Sequence, residues 1–495
     1  MLTKIAHYLT PNYANLSLWR VFWILFWVTL FIRFPFFFRD YIDRDESTFI
    51  LMGQSWVDGY LPYTQLWDLK PPIVFLFFAI IISIFGKSFI AIRFFGCLLV
   101  VISALFTFKI AATISTKKVA FWAALGCALL QSMFGSVQGV MSEHISMAFF
   151  MPALYLILKK NSVFWVFTAG VLMGLAVMTK LNLAYAVLLV GLFILYVAFT
   201  KNYISKGLGL ATAYAFGILL VIFCTFLPYY DKGISLVWWH SVVRASLEYA
   251  DTTWASTLKM TPFFLFIALF FLWVWKKKYI NLKNIHQQIL MIAFLGILFS
   301  FVKAGHINGH YLIQLYPILI IFFALSVSSI PFPATWNYKP YVLLLVLLPV
   351  EAYNEYYTIT ENKEEEGSYY NGEGFEVPEY IAKNNLSANN ILFLDFHIGY
   401  WVMGRKPPTL SSTHPSNLCR DELFPFYQNP RTSSLEEIQF VLRELKPELI
   451  VTRKNRRLFE KHYTAENTYM ANYLATEYDT IQTIDNALIY KRLKK

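Results

Sequence analysis

Apolar runs of roughly 17–25 residues recur from Trp19 to about Val350, each long enough to cross the hydrocarbon core of a bilayer. A chain built this way must satisfy every lipid-exposed backbone group internally, which leaves a bundle of helices. The composition agrees: 57% of residues are hydrophobic and only 15% are charged, where soluble domains carry about 25%. After Glu351 the pattern changes to "ENKEEEGSYYNGEGFEVPEY", and no later run could span. The reading is a polytopic α-helical membrane protein: a transmembrane domain over residues 1–356, then an α/β domain outside the membrane over 357–495.

The net charge of +11 would suggest nucleic acid in a soluble protein. Here the lysines cluster at the ends of apolar runs, as membrane topology requires, so nucleic acid is not expected as a partner. Cys97, Cys127 and Cys224 lie in apolar runs and Cys419 stands alone in the tail, with neither a disulfide framework nor metal-type spacing. The first run ends in Arg39-Asp40 without a small-residue cleavage site, so it is expected to stay as an anchor.

The basic clusters test the topology. Lys117-Lys118, Lys159-Lys160, Lys201 with Lys206, Lys276-Lys277-Lys278 and Lys339 should be cytoplasmic, with Lys4 and Arg20. They all fall on one side only if "PPIVFLFFAIIISIF" (71–85) does not span but lies in the interface or re-enters. The scheme then has about eleven spans, near 20–38, 89–112, 119–138, 142–158, 163–179, 182–200, 207–228, 260–275, 287–303, 311–330 and 340–356. The N-terminus is inside and the tail outside. The outer face receives residues 39–70, the turns 138–144 and 179–182, the loop 229–257, the segment 303–311 and the tail.

Polar chemistry collects on that face. Asp45-Glu46 opens an amphipathic stretch, "STFILMGQSWVDG", expected to lie along the interface and hold the acids beside a low-dielectric boundary, where carboxylates can act as general bases. Asp43 and Asp58 read as solvated loop acids. Lys70 stands before Pro71-Pro72, which open the next helix; a cation there opposes the helix dipole unless a phosphate binds, and the plain alternative is a snorkelling lysine. Glu143-His144 starts a span, and an ionisable pair there usually faces a cavity. Lys180, in "VMTKLNLAY", breaks one apolar region into two. "FVKAGHINGHYLIQLYP" gathers Lys303, His306, His310 and Tyr311 as donors to phosphate or sugar. His306 and His310 have the i, i+4 spacing of zinc ligands, but Gly305 and Gly309 interrupt the helix and no carboxylate is near. Trp238, Trp239, His240, Arg244 and Glu248 form an interfacial helix over the site or a simple Trp anchor.

Taken in order, D-E after the first span, W-D-L-K-P-P, the lone Arg93 in "SFIAIRFFG", S-E-H, T-K and G-H-Y-L-I-Q-L-Y-P resemble the GT-C superfamily of membrane glycosyltransferases. The likeness is to the branch of aminoarabinose transferases, protein O-mannosyltransferases and rhizobial lipopolysaccharide glycosyltransferases, over roughly residues 15–330. It implies a sugar donor on polyprenyl phosphate and an acceptor that is an envelope glycan, lipid or protein, reacting at the outer face of the cytoplasmic membrane. In that family's terms Asp45 is the base or acceptor-positioning acid, with Glu46 beside it, and Glu143 is the second acid. Lys70 and Lys180 face the donor phosphate; Asp68, Arg93, His144, Lys303, His306, His310 and Tyr311 complete the expected substrate-binding set. The chain departs from the aminoarabinose transferases at Leu69, where they have an acid; here Asp68 is one residue earlier. No cofactor is required by the pattern, and a divalent metal stays open. A single displacement would invert the anomeric centre, with Asp45 drawing the acceptor proton and Lys70, Lys180 and His310 stabilising the leaving phosphate.

The tail pattern alternates: "PEYIAKNN", "SLEEIQFVLRELK" and "NTYMANYLATEY" read as helices, "NILFLDF" and "PELIVTRKN" as strands, and the end as two strands around Asp485-Asn486. Tyr400, Trp401, Arg405 and His414–Asn417 read as plain surface or as glycan contacts, and no chemistry is assigned to them. The rival function is a transporter or flippase of a lipid-linked saccharide, which should place its polar residues at the midplane and show inverted repeats; neither is seen.

Overall fold

The computed structural model describes residues 12–40, 42–159, 162–249, 254–331, 345–386, 390–427 and 429–493. Lys4, Lys160, Lys339, residues 250–253 of the expected outer loop and 340–344 of the last expected span lie outside the described residues. The chain is mostly helical, and among the described residues four helices are long and apolar enough to cross a membrane: Phe89–Ile114, Leu181–Thr200, Ile204–Asp231 and Ile285–Ala304. Pro72–Phe85, Val163–Val177, Thr261–Lys276 and Tyr316–Ser329 are shorter apolar helices.

Two compact units divide the chain: residues 1–37, 93–225 and 250–356 form one, and 38–92, 226–249 and 357–495 the other. The first unit is an all-helical bundle around one apolar core that includes Val21, Ala124, Phe150, Met173, Phe294 and Phe322. Small residues set its closest crossings. A Cβ on Gly170 would lie 2.2 Å from the Tyr214 carbonyl oxygen, and one on Gly217 would lie 2.5 Å from that of Phe167, so these helices meet backbone to backbone. The expected span over 119–138 is corrected: the helix Lys117–Leu130 stops early, and a 3₁₀ turn, Gly135–Gln138, follows. The Arg33 guanidinium explains the break, since it donates to the carbonyls of Gln131, Val137 and Gly139 and replaces the bonds a continuing helix would make. The expected span ending at 356 is also redrawn, because the helix Val350–Glu365 runs on into the acidic stretch.

In the second unit Asp43 caps the helix Arg44–Val57, accepting from the Asp45 N–H, and the first turn carries Asp45 and Glu46, a favourable end for acids. Asp43 and Asp58 are therefore helix-end residues, with Asp58 accepting from Gln54 Nε2 at 2.9 Å. Pro71 and Pro72 open the helix Pro72–Phe85. The two helices pack through Gly53, where a Cβ would stand 2.7 Å from that of Phe78. The amphipathic stretch is helical, and Arg44–Val57 is buried from Glu46 to Gly53. The tail covers its polar side: both carboxylate oxygens of Asp395 accept from Arg44 Nη2, at 2.8 and 2.9 Å, and Thr48 Oγ1 lies 3.0 Å from His397 Nε2.

The tail itself has a four-stranded sheet, β1 (Ile391–Phe393), β2 (Leu449–Arg453), β3 (Tyr478–Ile484) and β4 (Ala487–Arg492), in the order β1-β2-β4-β3. β1 and β2 are parallel and the other pairs antiparallel. Asp485, at φ 47°, turns the β3–β4 hairpin as a two-residue loop of that kind demands. Helices Ser434–Gln439 and Thr464–Glu477 supply Ile438, Met470 and Leu474 to the core beneath Leu392 and Ile450.

Candidate active site

Each unit gathers a group of charged side chains. In the second, Lys70 Nζ stands 3.2 Å from Asp45 Oδ2, and the two side chains keep 18% and 21% of their surface exposed, so a solute can reach the pair. The Lys70 backbone is fixed from both sides: its N–H donates to Asp68 Oδ2 at 3.2 Å and its carbonyl accepts from Tyr63 Oη at 2.6 Å. Asp68 is buried. Burial pushes its carboxyl above the ordinary range while the Lys70 ammonium opposes that shift. Asp68 thus positions Lys70 through its backbone. Glu46 is buried and, one residue on, does not share the Asp45 face.

The other Asp45 oxygen, Oδ1, faces His414 Nε2 at 3.7 Å. His414 Nδ1 accepts the Ser416 N–H at 3.0 Å, so the ring proton sits on Nε2, toward the carboxylate. Burial holds His414 well below its usual pKa although Asp45 pulls the other way, and pushes the neighbouring His397 down to about 3, with Arg44 adding to the effect. The reading of His414–Asn417 as surface is corrected. These residues are buried, and Asn417 Nδ2 donates to the Trp67 carbonyl at 3.2 Å. Tyr400 is likewise buried, bonded to β1. No local pattern marks a tail histidine as an active-site candidate; only the fold carries His414 to Asp45, 369 positions earlier in the chain.

In the first unit Lys180 Nζ lies 2.6 Å from Glu143 Oε1, with the acid fully buried and the lysine 8% exposed. His310 Nε2 approaches the same oxygen at 3.9 Å, and Ser142 Oγ donates to Glu143 Oε2 at 3.0 Å. The Tyr311 ring completes the group, 4.5 Å from the ammonium. The chain break predicted at Lys180 is present: helix Val163–Val177 ends and Lys180 takes an extended conformation, φ −145° and ψ 100°. Beside it, Asn182 and Gln314 exchange amide hydrogen bonds at 3.0 and 3.1 Å, tying the break to the turn Gly309–Gln314. That reciprocal pair was not read from the sequence.

Other candidates take local roles. His144 uses both ring nitrogens on backbone, Nδ1 accepting from Met141 at 3.2 Å and Nε2 donating to Gln131 at 3.0 Å. Arg93 is buried and donates to the Phe36 carbonyl. Lys303 is an exposed cation in the last turn of the helix Ile285–Ala304, where a positive charge suits the dipole. That helix ends at Gly305, φ 64°, so His306 and His310 do not share a helical face. His306 Nδ1 donates to Ala304 at 2.7 Å, and its Nε2 lies 3.4 Å from Tyr311 Oη. Among the described residues no three His, Cys, Asp or Glu side chains gather as a metal-binding group. The segment expected to cover the site is helical from Ser235 to Tyr249; Ser241 Oγ accepts from the Trp67 indole at 2.9 Å.

Residues 69–229, a stretch that includes Lys70, Glu143 and Lys180, match the family of dolichyl-phosphate-mannose-protein mannosyltransferases. No curated protein matches the chain by sequence. The crystal structure of apo ArnT from Cupriavidus metallidurans is similar in fold, with a TM-score of 0.58 at 13% identity over 94% of this chain and 98% of that one. The same protein bound to undecaprenyl phosphate gives 0.56 at 12% identity, over 97% and 98%. The oligosaccharyltransferase of Archaeoglobus fulgidus is more distant, at 0.47 and 12% identity, over 90% and 70%. The likeness to known proteins thus holds in sequence over the matched stretch, with the mannosyltransferase family, and in fold over nearly the whole chain, with ArnT.

Proposed function

We propose that this chain is a membrane glycosyltransferase that moves a sugar from a polyprenyl-phosphate donor to an envelope glycan, lipid or protein acceptor, with inversion. The observation that carries the reading is the reachable Asp45–Lys70 pair, 3.2 Å apart, in a fold shared with a protein whose structure holds undecaprenyl phosphate. Lys70, its backbone pinned, is the cation for the donor phosphate. As the ammonium turns to the phosphate, Asp45 faces the incoming acceptor hydroxyl and takes its proton while the hydroxyl oxygen bonds to the anomeric carbon and the phosphate leaves with the bonding pair. In the first unit, Lys180 and His310 are anion-binding donors, with Glu143 holding the lysine in place. Of the remaining candidates Tyr311 packs its ring against the Lys180 ammonium, while Glu46, Arg93, His144, Lys303 and His306 are assigned no step. The setting is the inner membrane, crossed about eleven times, with the N-terminus cytoplasmic, a transmembrane domain over 1–356 and an extracytoplasmic domain over 357–495. The flippase alternative is not favoured, since the family matched over residues 69–229 is described as a mannosyltransferase.

The test is release of polyprenyl phosphate from a panel of polyprenyl-phosphate sugars by purified protein. Wild type should release it from at least one donor, and Asp45→Asn should lower the rate by about 10²–10⁴-fold. An Asp45→Asn protein as fast as wild type would overturn the assignment of the base.

A further inference from the structure

At the C-terminal end of the helix Arg44–Val57, about 15 Å along the helix from Asp45, the second unit has a cavity of about 200 Å³ that opens to the surface. Lys87, Arg405 and Lys406 line it against one acid, Asp58; three positive charges less one negative leave two uncompensated. Asp58 is already engaged, accepting from Gln54 Nε2 at 2.9 Å and standing 4.0 Å from Lys406 Nζ. Burial draws the Lys87 ammonium below its ordinary pKa, with Asp58 opposing the shift.

The neutral groups of the wall are ordered in advance. Gln54 Oε1 takes the Trp401 indole N–H at 3.0 Å, and Lys87 Nζ donates to the Trp401 carbonyl at 2.8 Å. Ser55 Oγ donates to Gln65 Oε1 at 2.9 Å, which orients the Gln65 amide N–H groups as donors. Fixed amide and hydroxyl groups beside an aromatic residue suit ring hydroxyls, and the excess cations suit a phosphate or carboxylate. The volume lies below the about 300–1,000 Å³ of pockets for larger ligands, which limits the occupant to one ring unit with its charged substituent.

We propose that this cavity binds an anionic saccharide, a sugar ring bearing a phosphate or carboxylate. Within the transferase reading, on which this role rests, it holds a charged unit of the acceptor glycan apart from the reacting hydroxyl. The binding itself is a property of the cavity.

Ligand-observed NMR on the purified full chain tests it, with glucose 6-phosphate and galacturonate as probes at millimolar concentration, and glucose and glycerol 3-phosphate as controls. At least one acidic sugar should bind, with both controls about tenfold weaker. The double variant Arg405→Glu/Lys406→Glu should lose that binding; both side chains are exposed, and unchanged thermal unfolding will show that the variant folds. Binding of neither acidic sugar, equal binding of glycerol 3-phosphate or glucose, or full binding by the folded variant would each overturn the proposal. Because the readout is binding, its failure is distinct from a failure to release polyprenyl phosphate.

Discussion

Glu143 and Lys180 show why a residue's type could be read and its partner could not. Each is an ionisable residue beside an apolar run, which marks it as costly and worth a role; that they meet at 2.6 Å follows only from how the helices pack. Breaking a buried pair from one side leaves an uncompensated charge, at a cost of about 3–5 kcal/mol. Lys180→Met and Glu143→Gln should therefore each lower the unfolding temperature, whereas the double variant Glu143→Leu/Lys180→Met should regain part of the loss and remain inactive. A double variant no more stable than the singles would mean that the pair contributes no mutual compensation. The tail histidines supply a pH signature. His397, held at about 3, stays neutral in the folded chain, while an unfolded histidine takes a proton near 6.5. The unfolded state then binds more protons as the pH falls below about 6.5, so stability drops through that window, by up to about 1.4 kcal/mol per pH unit for such a histidine. Thermal unfolding at pH 7 and pH 5 should show the drop, and His397→Gln should flatten it; an unchanged slope would show that other groups cause it.

At the scale of elements, run length and helix-stop signals placed most helices within a few residues. The pair Val163–Val177 and Ala184–Thr200 and its break at Lys180 were legible for that reason. The early end of Lys117–Leu130 was not, since the cause is Arg33, 98 positions from the Gln131 carbonyl it holds. Helix crossings depend on shape that a run of apolar letters does not state. Gly170 and Gly209 look alike in the sequence, but a side chain on Gly170 meets the backbone of Tyr214 while one on Gly209 meets nothing within 4 Å. Gly170→Val should cost roughly 1–3 kcal/mol or more and reduce the yield of monodisperse protein. Gly209→Ala should be neutral or slightly stabilising, as a helix position gains from a methyl group. Equal behaviour of the two in size-exclusion chromatography and thermal unfolding would refute the close crossing.

At the scale of the molecule, the second unit is assembled from three stretches of chain, 38–92, 226–249 and 357–495. The Trp67 ring lies 4.4 Å from that of Tyr427, so the tail's packing relies on residues far upstream. A fragment of residues 357–495 expressed alone should lack fixed aromatic packing and show a weak near-ultraviolet circular dichroism signal; a native-like, cooperatively melting fragment would contradict this. By itself the sequence determined that the chain crosses a membrane, where most of its helices begin, and which acids and lysines are costly enough to be candidates, because hydrophobic length and ionisation cost are properties of local composition. Only the tertiary structure decided which of those groups meet. It set Lys70 against Asp45, brought His414 behind the same carboxylate, and closed Arg44 onto Asp395 across 351 positions. Such contacts depend on side-chain packing between distant segments, and no local pattern encodes them.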